Sequence, residues 1–261
     1  MKVAFIYPSY VNDQYRVYWR CINVARAITQ TGLHQAHLLD LDSFIKNEPR
    51  AYDICKSSDL IVIEKYLHEP VLQAIQRWKA HDKKVFIDFD ETVHLLYPEL
   101  ESVKITNTGT YGNINPGFRE FYHFPLEDQY KWGLRLVDGV FVSSMRLTKG
   151  WETSAPIFEI PDYIDVDQYL TIQNPQRKDI WIGLGGGELS YETFAESGLL
   201  TALSEVCACR KDVHILICGS QYRIAEELAI PEDQKTIIPW ISAADWPFYA
   251  AKLDIGLAPV V

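Results

Sequence analysis

Short uninterrupted apolar runs alternate along this chain with longer stretches whose apolar residues return at helical spacing. Val3 to Tyr7 is the first run, and Pro8-Ser9 closes it, which predicts a buried strand followed by a loop. From about Tyr15 to Gln30 the apolar positions Val17, Cys21, Val24, Ala25 and Ile28 share one helical face, and Gly32 stands where a helix would stop. Further strand-like runs lie at 36–39, 59–63, 84–88, 140–142 and 157–160, with a helical stretch from Glu69 to His81. Continuous apolar strands separated by helices predict a parallel sheet covered on both faces. In such sheets ligands collect beyond the carboxyl ends of the strands.

The second half repeats the alternation. Ile180, Trp181, Ile182 and Leu184 form a short run that stops at Gly185-Gly186-Gly187, and a helix-compatible segment follows from Glu188. A helix over about 191–208, a strand at 213–218 ending in Gly219-Ser220, a short helix near Ala225 and a strand at 236–238 ending in Pro239-Trp240 come next. A helix over about 243–252 and a strand at 254–258 complete the pattern. The expected fold is α/β, with two Rossmann-like doubly wound parallel-sheet domains over 1–168 and 169–261. Their linker includes the polar run Gln173 to Lys178. The second sheet reads as incomplete at Val261, so either self-association or a further C-terminal region is expected to complete it.

Candidate chemistry lies at the predicted strand ends. Three glycines let the backbone come close to a ligand, and a helix starting there aims free N–H groups at the same spot. A tight strand-to-helix connection with no ligand fits Gly185 to Gly187 equally well. In the first half, Asp88-Phe89-Asp90-Glu91-Thr92-Val93-His94 is the densest polar cluster. Asp88 and Asp90 fall on one side of an extended chain, with Glu91 and His94 just beyond. A base and its orienting partner, a divalent cation site, or a helix cap with two solvated neighbours all fit that pattern. The loop after the first strand holds Tyr10, Asn12, Asp13 and Arg16. Residues 106–117 form a long polar loop of the kind that covers sites, and the aromatic residues flanking it either stack on a sugar ring or pack beneath the loop.

Composition narrows the function classes. With 48% hydrophobic and 23% charged residues, 261 positions suffice for two ordinary domains with cores of their own. A formal net charge of −10 argues against a general binder of nucleic acid or anionic membrane, since either needs a basic face. Five scattered cysteines predict reduced thiols and a cytoplasmic setting, and Cys207-Ala-Cys209 lacks a second ligand pair at metal-site spacing. No apolar run reaches membrane-spanning length. A nicotinamide site is not expected. Glu188 stands where the third glycine of a dinucleotide fingerprint belongs, and the strand that follows ends in Gly219-Ser220 rather than an acid.

The Asp-x-Asp-Glu cluster after the fourth strand, Val140-Phe141-Val142-Ser143-Ser144 followed by Leu147, and Ile160-Pro161-Asp162-Tyr163-Ile164-Asp165 before the linker resemble the GT-B glycosyltransferases. The likeness is greatest to the group 1, family 4-like branch, and extends through Ile182-Gly183, Ile217-Cys218-Gly219-Ser220 and Asp254 to Pro259. The resemblance implies a nucleoside-diphosphate-sugar donor in the second domain, an acceptor in the first, and transfer without an obligatory metal or other cofactor. It implies that Gly185, Gly186 and Gly187 approach the donor phosphates, that Gly219 and Ser220 line the nucleotide pocket, and that Trp240 lies by the base. Tyr10 and Arg16 would face the acceptor together with Asp90, Glu91 and His94, the catalytic candidates. The sequence departs from the branch where Glu188-Leu189-Ser190-Tyr191-Glu192 replaces the expected basic residues, and the branch's paired glutamates would fall beyond Val261. The leading expectation is a glycosyltransferase. Its competitors are a non-catalytic binding or assembly protein of the same fold, and metal-assisted hydrolysis at Asp88, Asp90 and His94.

Overall fold

Two hydrophobic cores divide the chain, one in Met1–Ile164 and the other in Asp165–Val261. A computed structural model describes residues 1–8, 17–90, 126–173, 177–185, 194, 196–219, 222–238 and 241–258. In the first unit six strands form one sheet: β1 (Lys2–Tyr7), β2 (Gln35–Asp40), β3 (Leu60–Glu64), β4 (Lys84–Phe89), β5 (Gly139–Val142) and β6 (Ile157–Glu159). Their order is β2-β1-β3-β4-β5-β6, and every neighbouring pair is parallel. The α-helices among the described residues of this unit are α1 (Asn23–Gln30), α2 (Leu41–Lys46), α3 (Pro49–Ser57), α4 (Glu69–Lys79) and α5 (Leu126–Leu136).

Strand alternation sorts the apolar residues onto two buried faces. Ala4, Ile6, Ile61, Ile63, Val85 and Ile87 point to a core shared with Phe44, Leu72, Ile75 and Trp78. Val3, Phe5 and Val62 point to the other side, where Val17, Cys21 and Ala25 cover them. Burial on both faces is why these strands read as unbroken apolar runs. The helix expected over 15–30 differs in detail, because a π-helical turn, Tyr18–Ile22, precedes α1. One extra residue in that turn re-aims the side chains it carries. The pair α2 and α3 has no counterpart in the periodicity. Asp40 caps α2 by accepting from the Ser43 amide at 2.8 Å, Asn47 ends it in a left-handed conformation, and Pro49 opens α3.

The second unit holds β7 (Ile180–Gly185), β8 (Val213–Cys218), β9 (Lys235–Ile238) and β10 (Ile255–Leu257) in the parallel order β10-β7-β8-β9. With them run α6 (Val166–Leu170), α7 (Leu199–Cys209), α8 (Tyr222–Glu227) and α9 (Trp246–Ala250). Ile182, Leu184, Ile215 and Ile217 pack on Phe194, Leu203 and Cys207, while Leu216 and Cys218 face Ile241, Trp246 and Leu253. The helix expected over 191–208 is interrupted at Gly198, whose φ of 72° is left-handed, and α7 starts only at Leu199. At the sheet edge, β10 is tied to β7 by Asp254. Its carboxylate accepts from the Trp181 amide at 2.7 Å and from Arg177 at 3.0 Å.

Candidate functional site

Chain winding fixes where each unit presents its chemistry. In the first unit β2 lies on one side of β1 and β3 on the other, so the winding direction reverses between β1 and β3. Above such a reversal the crossovers diverge and leave a crevice at the carboxyl ends of the strands. The ends gathered there are Tyr7-Pro8, Glu64-Lys65 and Asp88-Phe89-Asp90, with Glu64 directly beside Asp88 in register.

Among the described residues, the polar side chains of Arg20, Glu64, Lys65, His68 and Asp88 are buried in this neighbourhood. Arg20 comes from the π-helical turn and engages both oxygens of Asp88, Nε to Oδ2 at 3.1 Å and Nη2 to Oδ1. Its Nη1 donates to the Ile160 carbonyl at 2.7 Å and to Asp162 Oδ1 at 2.9 Å. Burial disfavours the guanidinium charge, but the bonds to Asp88 and Asp162 outweigh it and raise the Arg20 pKa. Burial likewise pushes the Asp88 carboxyl above the usual carboxylate range, against the pull of Arg20. The neighbouring Cys21 thiol is driven well up by burial and then by Glu64 and Asp88, so it stays protonated and is no nucleophile.

Lys65 turns the chain out of β3 with φ of 63°, a strained conformation for a side-chain-bearing residue. The turn is held from several sides. The Lys65 amide donates to the Asp88 carbonyl at 2.8 Å, the Tyr66 amide to the Glu64 carbonyl at 2.7 Å, and the Tyr130 hydroxyl to the Lys65 carbonyl at 2.9 Å. Just beyond, His68 is pushed down to about 4 by burial and is neutral at physiological pH. Gly133 of α5 lets that helix lie against Leu67, since a Cβ there would meet the Leu67 methyl carbon at 2.8 Å.

In the second unit the winding reverses between β7 and β10. Glycine marks two strand ends there: β7 finishes at Gly185, and β8, which ends at Cys218, is followed by Gly219 at φ of 105°. The Gly219 amide is anchored by donating to the Ile238 carbonyl at 2.9 Å. Arg177, Arg210, Lys235 and Lys252 stand at the opposite, amino ends of their strands, while Arg223 belongs to α8, which follows the carboxyl end of β8.

Of the residues singled out from sequence, Asp88, Asp90, Gly185 and Gly219 are described, each at the carboxyl side of its sheet. Tyr10, Arg16, Glu91, His94, Gly186, Gly187, Ser220 and Trp240 lie outside the described residues. Arg20, Glu64, Lys65 and His68 were not singled out. Glu64-Lys65 closes an apolar run just as Asp88 does, and that was the available signal; Arg20 offered none. Among the described residues no group of three or more His, Cys, Asp or Glu is arranged to hold a metal ion, and no helix is long and apolar enough to cross a membrane. The five thiols are free.

No family model and no curated protein matches the sequence. Solved structures do match the fold. A Listeria monocytogenes protein assigned as a UDP-N-acetylglucosamine 2-epimerase is 11% identical, with a TM-score of 0.58 over 98% of this chain and 73% of its own. The UDP-GlcNAc 2-epimerase from Neisseria meningitidis bound to UDP-GlcNAc is 10% identical, with a TM-score of 0.53 over 98% of this chain and 77% of its own. The S. aureus MnaA structure with UDP is 11% identical, with a TM-score of 0.51 over 98% and 73%. The chain thus has an α/β architecture of two Rossmann-like parallel-sheet units of the GT-B type.

Proposed function

We propose that this chain is a nucleotide-sugar-using enzyme, and that transfer of the sugar from a nucleoside diphosphate to an acceptor is the activity its residues support best. The donor's diphosphate meets the backbone at Gly185 and Gly219, and the acceptor lies at the buried charged cluster of the first unit. Asp90 takes the proton from the attacking hydroxyl. The observation that carries this reading is the contrast between the two winding reversals. One ends in glycines, where no side chain bars an anion from the backbone, and the other holds carboxylates suited to proton transfer. The structural neighbours named with UDP or UDP-GlcNAc support a nucleotide sugar as the substrate class.

Titration calorimetry with uridine, guanosine and adenosine diphosphates tests the binding half. One member of the panel is expected to bind saturably, and Gly185→Val to weaken it at least tenfold; heat from none of the three would end the proposal. Proton NMR of the sugar during turnover separates transfer, which frees the diphosphate and links the sugar to an acceptor, from epimerisation, which inverts a ring carbon.

A non-catalytic role in binding or assembly is the second reading. The acidic run Glu188 to Glu192 and the position of Arg177, Arg210, Lys235 and Lys252 at the amino ends of the second sheet favour it. Saturable nucleotide binding with no change in a bound nucleotide sugar, across a panel of acceptors, would decide for it.

A further inference from the structure

The guanidinium of Arg20 is nearly used up. It has five N–H groups, and four of its hydrogen bonds run to Asp88 Oδ1, Asp88 Oδ2, the Ile160 carbonyl and Asp162 Oδ1. The side chain is 5% exposed. For Arg20 to bind a substrate anion it would have to leave two carboxylates, one of them equally buried. Its planar fork matches the two oxygens of Asp88, a geometry that a lysine ammonium cannot reproduce.

The partners of Arg20 belong to separate pieces of the first unit. Asp88 ends β4, and its carbonyl accepts from Lys65 in the strained turn after β3. Ile160 continues the β5–β6 ladder, its amide donating to the Val142 carbonyl at 2.7 Å, and Asp162 lies two residues further on. Asp90 is not a partner of Arg20. Its backbone is fixed separately: Ser143 donates through its hydroxyl to the Asp90 carbonyl at 3.3 Å and through its amide to the Phe89 carbonyl at 3.0 Å.

We propose that Arg20 is a positioning residue: it withdraws Asp88 from acid–base work and fixes the end of β4 against the segment leaving β6. Asp90 is then the carboxylate that meets the substrate. Buried and accepting from Arg20 through both oxygens, Asp88 cannot turn toward an incoming hydroxyl without breaking that pair. Asp90, two residues along the same strand direction, shares its side of the chain without sharing its partner. The part given to Asp90 rests on the nucleotide-sugar reading above; the clamp made by Arg20 does not.

Three measurements on the full chain test this. In hydrogen exchange, Arg20→Lys is expected to speed exchange at least tenfold at Ile160–Ile164 and at Lys65, with the β2 amides unchanged. Equal acceleration throughout the first unit, or none anywhere, overturns the clamp. Asp162→Asn removes one arm at a half-exposed carboxylate. It is expected to speed exchange at Ile160–Ile164 alone, which keeps the test open if the Arg20 variant does not fold.

In carbon NMR, the Asp88 carboxyl is expected to titrate at least one pH unit higher in Arg20→Gln than in the wild type. Glu64, Asp90, Asp162, Lys65 and Cys21 surround it in both proteins, so the difference isolates Arg20; an unmoved midpoint overturns the proposal. In turnover with a nucleotide sugar, Asp90→Asn is expected to lose activity at least a thousandfold. Arg20→Lys and Asp88→Asn are expected to lower kcat ten- to a hundredfold at unchanged donor KM. Equal loss at Asp88 and Asp90 overturns the division of labour. Absence of wild-type turnover counts against the nucleotide-sugar reading and against Asp90's part, and leaves the exchange and NMR measurements to decide the clamp.

Discussion

Among the described residues, His68 carries a clear pH signature. Burial pushes its pKa down to about 4, so the folded protein holds it neutral while the unfolded chain protonates it near its ordinary value of 6.5. A depressed folded-state value contributes stability that is complete above about pH 6.5 and is lost progressively as pH falls toward 4. By pH 5 the loss from this residue comes to about 2 kcal/mol. Urea unfolding at pH 7.5 and pH 5 should show it, and His68→Gln should flatten the difference between the two pH values. If the variant keeps the full wild-type pH dependence, His68 is not its source. At this scale the sequence told half the story. The place of Asp88 and Asp90 at the carboxyl end of β4 was legible, because carboxylates closing an apolar strand stand out from the run before them. The same logic applied to Glu64-Lys65 would have found the turn after β3. Arg20 was hidden, because it sits on a helical face whose periodicity reports only Val17, Cys21 and Ala25, and its partners are 68 and 142 residues away.

Among the elements, β10 is held in place by contacts that periodicity does not encode. Three residues long, it lies at the edge of its sheet with Ile255 half exposed, so side-chain packing supplies little. The Asp254 carboxylate supplies the rest through the Trp181 amide and Arg177, whose guanidinium carbon also lies 4.9 Å over the Trp181 ring. Asp254→Ala is expected to cost about 1–2 kcal/mol, the scale of losing one backbone and one charge-assisted hydrogen bond at a part-exposed site. Thermal unfolding followed by Trp181 fluorescence would measure it, and an unchanged midpoint would show the edge is held by something else. The inner strands β1 and β3 were readable because burial on both faces leaves few polar positions to confuse the pattern. The short α2 and α3 were not, since caps at Asp40, Asn47 and Pro49 make them rather than an amphipathic stripe. The late start of α7 follows from Gly198, whose left-handed φ no apolar spacing announces.

For the whole molecule, two separate cores predict two separable responses. Leu72 is fully buried in the first unit and Leu203 is buried in the second. Replacing either by alanine is expected to cost about 2–5 kcal/mol. In scanning calorimetry each variant should lower one of two transitions and leave the other within a degree; a single transition shifted alike by both would show that the cores melt together. The doubly wound pattern of both halves was legible in the sequence, because alternating strands and helices allow few other arrangements. Strand order was not, since the reversal of winding at β1 and β7 depends on which sheet edge each crossover takes.

The glycine ends of β7 and β8 have a practical consequence for anyone mapping this protein by mutation. Under the nucleotide-sugar proposal the diphosphate meets peptide groups there, with no side chain to truncate, so even alanine at Gly185 or Gly219 adds a carbon rather than removing one. Bulk, not truncation, is the informative change there: adding carbon atoms at Gly185 or Gly219 alters what the backbone can approach, and at Gly219 also forbids the φ of 105° that the peptide adopts.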